Sequence, residues 1–188
     1  MKFVDRFLQR WRIRKVIGFI PENAWVVDIG AFHGELFQSL GTSLAKGFGV
    51  EPLLGKTLES ERYGIHPGFF PDTRPNDSGT WDAITMLAVL EHIPEKQQAA
   101  LAANCLDLLR PGGRVIVTVP SKAVDAILEV LKWFHLIDGM SLEEHYGFQP
   151  SNTPQIFAEP GFRLLLHKRF QLGLNHLFVF EKRPGGGV

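Results

Sequence analysis

The sequence predicts an α/β fold: a three-layer sandwich around a seven-stranded, mostly parallel sheet whose last strand runs antiparallel. Apolar runs of strand length alternate with helical stretches along most of the chain. That is the pattern of a parallel sheet covered on both faces and joined by right-handed crossovers. The last two apolar runs are joined by a turn around Gly173 and Asn175, too short for a parallel crossover, so they form an antiparallel hairpin. With 188 residues and no internal repeat or interdomain linker, the chain suits a single domain with a substantial core.

The first strand is Trp25–Ile29, an apolar run interrupted only by Asp28, and residues 34–45 read as the helix that follows it. Gly47-Phe48-Gly49-Val50-Glu51 is a second short strand that also ends in an acid, and 53–62 reads as a helix. Ile65–Phe70 is a weaker strand, interrupted by Pro67 and Gly68, and 71–79 is rich in turn residues. Asp82–Leu87 has the composition of a buried strand, and 95–109 is a helix closed by Arg110-Pro111-Gly112-Gly113. The β-branched run Arg114–Val119 is the next strand and 122–137 a helix. The strands 162–170 and 175–182 make the closing hairpin. Together these elements describe a Rossmann-like sandwich.

Composition narrows the function classes. The formal net charge is zero, without the basic surplus of a dedicated nucleic-acid binder. Cys105 is the only cysteine, which excludes an intrachain disulfide and suggests no cysteine-based zinc site. No apolar run reaches the roughly 18–20 residues of a membrane span. The N-terminus lacks the apolar core and small-residue cleavage site of a signal peptide. A soluble cytoplasmic protein is expected.

In an open α/β sheet, ligands bind beyond the carboxyl ends of the strands where strand order reverses. Four stretches here lie at such ends: Asp28–Gly34, Glu51, Phe70–Asp72 and Leu87–His92. The glycines at 30 and 34 permit positive φ and close backbone approach. An acid two residues before the first glycine suits a cationic, amino-acid-bearing ligand better than a pyrophosphate. The ordered set Val26-Val27-Asp28-Ile29-Gly30…Gly34, Gly49-Val50-Glu51-Pro52, Trp81-Asp82-Ala83-Ile84…Val89-Leu90-Glu91-His92-Ile93-Pro94 and Leu109-Arg110-Pro111-Gly112-Gly113-Arg114-Val115 resembles the class I S-adenosylmethionine-dependent methyltransferases. Within them the chain looks like the small-molecule branch acting on quinone precursors, sugars and other metabolites.

The resemblance covers residues 24 to about 182 and implies roles. The loop of Asp28, Gly30, Ala31, Phe32 and Gly34 meets the methionine part of S-adenosylmethionine, with Asp28 ordering the loop and attracting the ammonium group. Glu51, followed by Pro52, accepts from both ribose hydroxyls. Asp72 bonds the adenine amino group, and Phe70, Leu87 and Ala88 flank the cofactor, which leaves as S-adenosylhomocysteine. The other reading of Asp28 and Glu51 is ordinary strand-end turn chemistry. Phe32 stands where the family usually has a third glycine, which should narrow or reshape the methionine pocket, and Ala88 replaces a frequently polar residue. Residues 1–20 become a helical lid, 24–120 the cofactor half, 121–183 the substrate side and 184–188 a frayed tail.

Methyl transfer needs mainly in-line positioning. A hydroxyl acceptor gains from a general base, for which His145 and His92 are the candidates. Against them stand a loop hydrogen-bonder at 145 and a structural helix-start residue at 92. The seven histidines form no pair at metal-ligand spacing, so no metal is expected. The implied partner is a small-molecule acceptor, with monomer and homodimer both open. The rivals are a nicotinamide-dependent oxidoreductase, for which Gly30-x-Phe32-x-x-Glu35 lacks the required glycines, and a non-catalytic cofactor-binding or scaffold domain.

Residues 1–15 hold six basic side chains against one acid, Asp5. Between them Phe3, Phe7, Trp11, Ile13, Val16 and Ile17 recur at helical spacing. Such a stripe is the signature of any packed helix, so a lid carrying solvated charges is the default reading. Contact of residues 1–17 with an anionic membrane or a lipid-linked substrate is the alternative.

Overall fold

The computed structural model describes residues 3–121, 148–158 and 160–185. The expected helix 122–137 and His145 lie outside the described residues. The chain opens with helix α1 (Phe3–Val16) and a 3-10 turn, Ile17–Phe19. Strand β1 (Ala24–Ile29), helix α2 (Glu35–Leu40) and strand β2 (Leu44–Glu51) follow. Next come β3 (Leu58–Glu59), β4 (Tyr63–Pro67) and β5 (Trp81–Leu87), then helix α3 (Glu95–Leu108) and β6 (Leu109–Pro120). The chain closes with β7 (Phe162–Phe170) and β8 (Asn175–Lys182).

These form one eight-stranded sheet in the order β3-β4-β2-β1-β5-β6-β8-β7. Strands β4, β2, β1, β5 and β6 run parallel to one another, whereas β8 runs antiparallel to both β6 and β7. The mostly parallel sheet with its antiparallel closing strand is as expected. The eighth strand is the departure. Leu58–Glu59 pairs antiparallel with β4 where a helix over 53–62 was expected. Gly55 and Thr57 weaken that helix, and Leu53 is 85% exposed rather than packed. The expected helix 34–45 also ends early, because Gly41 terminates α2 at Leu40 with φ of 54°.

Central strands β1 and β5 are buried on both faces, as a doubly covered parallel sheet requires. One core, with Trp81, Met86, Leu101, Cys105, Phe178 and Phe180, lies under α3. Burial there pushes the Cys105 thiol up, leaving it a small apolar filler. The other core holds Ile13 and Val16 of α1 with Leu36 and Phe37 of α2, Ile116 and Leu177. Strand order reverses between β1 and β5, so the crevice opens over the carboxyl ends of those two strands.

Candidate functional site

The parallel register sets Thr85 of β5 beside Asp28 of β1. The Thr85 hydroxyl donates to Asp28 Oδ1 at 2.6 Å, and Asp28 is 4% exposed. Burial pushes the Asp28 carboxyl up to about 7; Glu35 and Glu51 push the same way, and the Thr85 bond opposes them. Asp28 is thus anchored to β5 rather than ordering the loop that follows it.

Glu51 orders that loop. Its Oε2 accepts the Phe32 N–H at 3.0 Å and its Oε1 accepts the Leu53 N–H at 3.1 Å. The Gly30 and Ala31 N–H groups both donate to the Val50 carbonyl, at 2.9 and 3.1 Å. The carboxylate therefore staples the turn after β1 to the turn after β2, and each oxygen keeps a further lone pair. Gly30 has φ of 77°, and a Cβ there would lie 2.4 Å from Val89 Cγ2. A side chain there is strained by the positive φ and has to displace Val89.

Above β1 and β5 sits a cavity of about 50 Å³ lined by Gln9, Arg12, Ile13, Asp28, Gly30, Ala31, Glu35, Leu36 and Leu87. Three of these come from α1, so the N-terminal helix forms its roof. Arg12 is half-buried, and its Nε is enclosed without a hydrogen-bond partner. Burial lowers the Arg12 pKa while the charge of Glu91, itself 3% exposed, raises it. The cavity thus joins a guanidinium to two carboxyl groups.

The structure brings Asp28, Gly30, Ala31 and Leu87 into the wall, with Glu51 holding the loop. Phe32 contributes backbone only. It adopts φ of 48°, supplying the left-handed conformation that a glycine usually provides, and its ring centroid lies 4.1 Å from that of His33. The ring stays out of the cavity wall, so the expected narrowing of this cavity is not seen. Ala88 is left-handed too, with φ of 61° and its N–H donating to Thr118 O at 2.9 Å. Gly34 caps α2 under Tyr63 and Ile65, each within 3.1 Å of where a Cβ would stand. Pro52 and Asp72 are exposed, Phe70 packs on the α3-side core, and His92 ends a 3-10 turn, Leu90–His92. None of these four lines the cavity. Among the described residues no cluster of three or more metal-ligating side chains occurs.

Sequence reasoning missed Arg12 and Glu91. Arg12 was grouped with five other basic residues as a solvated charge. The available signal was helical register, since Gln9, Ile13 and Val16 mark the inward side of α1 and Arg12 lies next to Ile13.

Residues 2–167 match a family described as a methyltransferase domain. The chain belongs to this methyltransferase family. That settles against the nicotinamide rival and agrees with the class I S-adenosylmethionine-dependent resemblance. The ubiquinone biosynthesis O-methyltransferase of Escherichia fergusonii is 30% identical to this methyltransferase over 113 residues, which is 53% of this chain and 46% of that protein. The chain spans about half the length of the curated relatives it matches. Magnesium protoporphyrin IX methyltransferase from Synechocystis PCC 6803, solved with S-adenosylhomocysteine, superposes with a TM-score of 0.68 at 16% identity, over 97% of this chain and 88% of that one. Burkholderia thailandensis 1,6-didemethyltoxoflavin-N1-methyltransferase superposes equally, with TM-score 0.68 and 16% identity over 96% and 82% of the two chains. At such identities the structures establish the shared fold. No helix of the described residues is long and apolar enough to cross a membrane.

Proposed function

We propose that this chain transfers a methyl group from S-adenosylmethionine to a small-molecule acceptor and releases S-adenosylhomocysteine. The observation that carries the reading is the pairing of Arg12 with Asp28 and Glu35 in one cavity at the strand-order reversal. A zwitterionic amino-acid end fits this set, its carboxylate toward the partnerless Arg12 Nε and its ammonium toward the two acids. Glu51 has lone pairs left for ribose hydroxyls. When bound, the cofactor supplies a methyl group already activated on a sulfonium. The chain's own residues then position and exclude water. The cavity of about 50 Å³ holds no more than a few waters, so the α1 side chains that roof it would have to give way for the cofactor to enter.

The partial match to ubiquinone biosynthesis O-methyltransferases supports a hydroxyl-bearing quinone precursor as the first acceptor to screen. Its proton would pass to a base, with His145 and His92 as candidates. Calorimetry with S-adenosylhomocysteine tests the cofactor half: one site is expected, and Glu51→Ala weakens it by about tenfold or more. Absence of both heat and thermal stabilisation would remove the assignment. A radiolabelled-methyl screen then identifies the acceptor, and full turnover by His145→Ala excludes that residue as base.

A further inference from the structure

We propose that the outward face of α1, with the tip of the β7–β8 hairpin, docks the protein on an anionic lipid bilayer. The helix carries two apolar stripes. The inner one, Ile13 and Val16, is buried in the core beneath α2. The other follows at 3–4 spacing on the opposite side, Phe7 then Trp11, the two rings packed edge-on with centroids 5.7 Å apart. Phe7 remains 53% exposed. Packing on the domain explains the inner stripe, but not why Phe7 in the outer one stays so exposed.

The hairpin extends this surface. Gln171 Nε2 donates to the Leu8 carbonyl at 3.1 Å, which brings the neighbouring residues Phe7 and Leu172 to one corner of the molecule. Leu172 is 95% exposed at the turn tip. Around these apolar groups stand Arg6, Arg10, Arg14 and Lys15 of α1 with Lys168 and Arg169 of β7, all exposed. None of them is in an ion pair with another described residue. Aromatic side chains with a basic rim suit the headgroup boundary of a membrane, and long basic stems spread along apolar surface while their charges reach phosphate. The chain is neutral overall, so the basic N-terminus faces a net acidic remainder, which orients the molecule with this face toward negative charge. The same basic rim disfavours a second copy, because a two-fold contact sets like charges together.

Vesicle flotation tests the proposal on the full chain without cofactor, so the outcome is independent of methyl transfer. Binding is expected to phosphatidylcholine vesicles containing one third phosphatidylglycerol, not to pure phosphatidylcholine, and it weakens at high salt. The triple variant R10E/R14E/K15E lowers the partition by about a hundredfold or more, and F7S/L172S abolishes stable binding. All five positions are solvent-exposed, and unchanged thermal unfolding verifies that both variants fold. Trp11 emission shifts blue on anionic vesicles, a change missing from W11F. No binding, equal binding to neutral vesicles, or unchanged partition in either variant overturns the proposal. So does sedimentation showing that this face is covered by a second copy.

Discussion

Asp28 illustrates how one buried carboxyl links stability to ligand binding. Its pKa of about 7 lies above the ordinary 3.8, so the unfolded chain loses this proton first as pH rises. Its contribution to stability therefore falls between about pH 4 and pH 7 and is level above that, the direction of a raised acid. The full cost is on the order of 4 kcal/mol. Asp28→Asn keeps an acceptor for Thr85 and removes the ionisation. Unfolding midpoints measured from pH 4.5 to 8 should converge at the acid end and favour the variant progressively toward neutrality. Cofactor binding should move the opposite way. On the proposed role of Asp28 as the partner of the ligand's ammonium, affinity for S-adenosylhomocysteine should rise through about pH 7 in the native chain and lose that step in Asp28→Asn, as calorimetry across the range would show. In the proposed site Arg12 is the complementary charge. Arg12→Ala should weaken S-adenosylhomocysteine by roughly 2 kcal/mol, about thirtyfold in Kd, whereas Arg12→Lys keeps the charge and loses only part of this.

At the scale of elements, the turn after β1 depends on a left-handed backbone at Gly30 and on Val89 from the next strand end filling the space beside it. Gly30→Ala should cost about 2 kcal/mol or more, through strain at positive φ and the close approach to Val89. Pairing it with Val89→Ala relieves the contact and leaves the backbone strain, so denaturant titration of the double variant should recover part of the loss. This turn was the most legible part of the chain because Asp28, Gly30 and Gly34 lie within one short stretch, and each responds to local geometry. The parallel strands were legible for a similar reason: doubly buried strands are apolar runs with clear ends. What failed was local propensity without a packing partner. Residues 53–62 can be written as a helix, yet Leu53 stays exposed while Leu54 and Leu58 reach the core without one, and the tertiary choice was a two-residue pairing with β4. Phe32 was legible as an anomaly, and the structure shows how the backbone absorbs it, through φ and through the Glu51 bond to its N–H, with its ring outside the wall of this cavity.

The remaining gap lies at the scale of the whole molecule, where the site is assembled across the chain. Arg12 and Glu91 are 79 positions apart, and no spacing rule connects a residue on a packed N-terminal helix to one after β5. Their charges interact because Ile13 and Val16, 4% and 0% exposed, lock α1 onto the sheet and carry Arg12 over the crevice with them. One docking event therefore builds part of the core and roofs the cavity. Burying two such side chains is worth about 3–6 kcal/mol, so removing residues 1–16 should lower the unfolding midpoint by about 10 °C or more. It should also abolish the stabilisation by saturating S-adenosylhomocysteine, which at a hundredfold excess over Kd is about 2.7 kcal/mol in the intact chain. Arg12→Gln separates the two effects: it keeps the apolar docking, so its own midpoint falls much less, while most of the ligand-dependent rise disappears. Thermal unfolding of the three proteins with and without ligand makes the comparison. A truncated chain that still gains the full ligand shift would show that α1 packs on the fold but takes no part in the site.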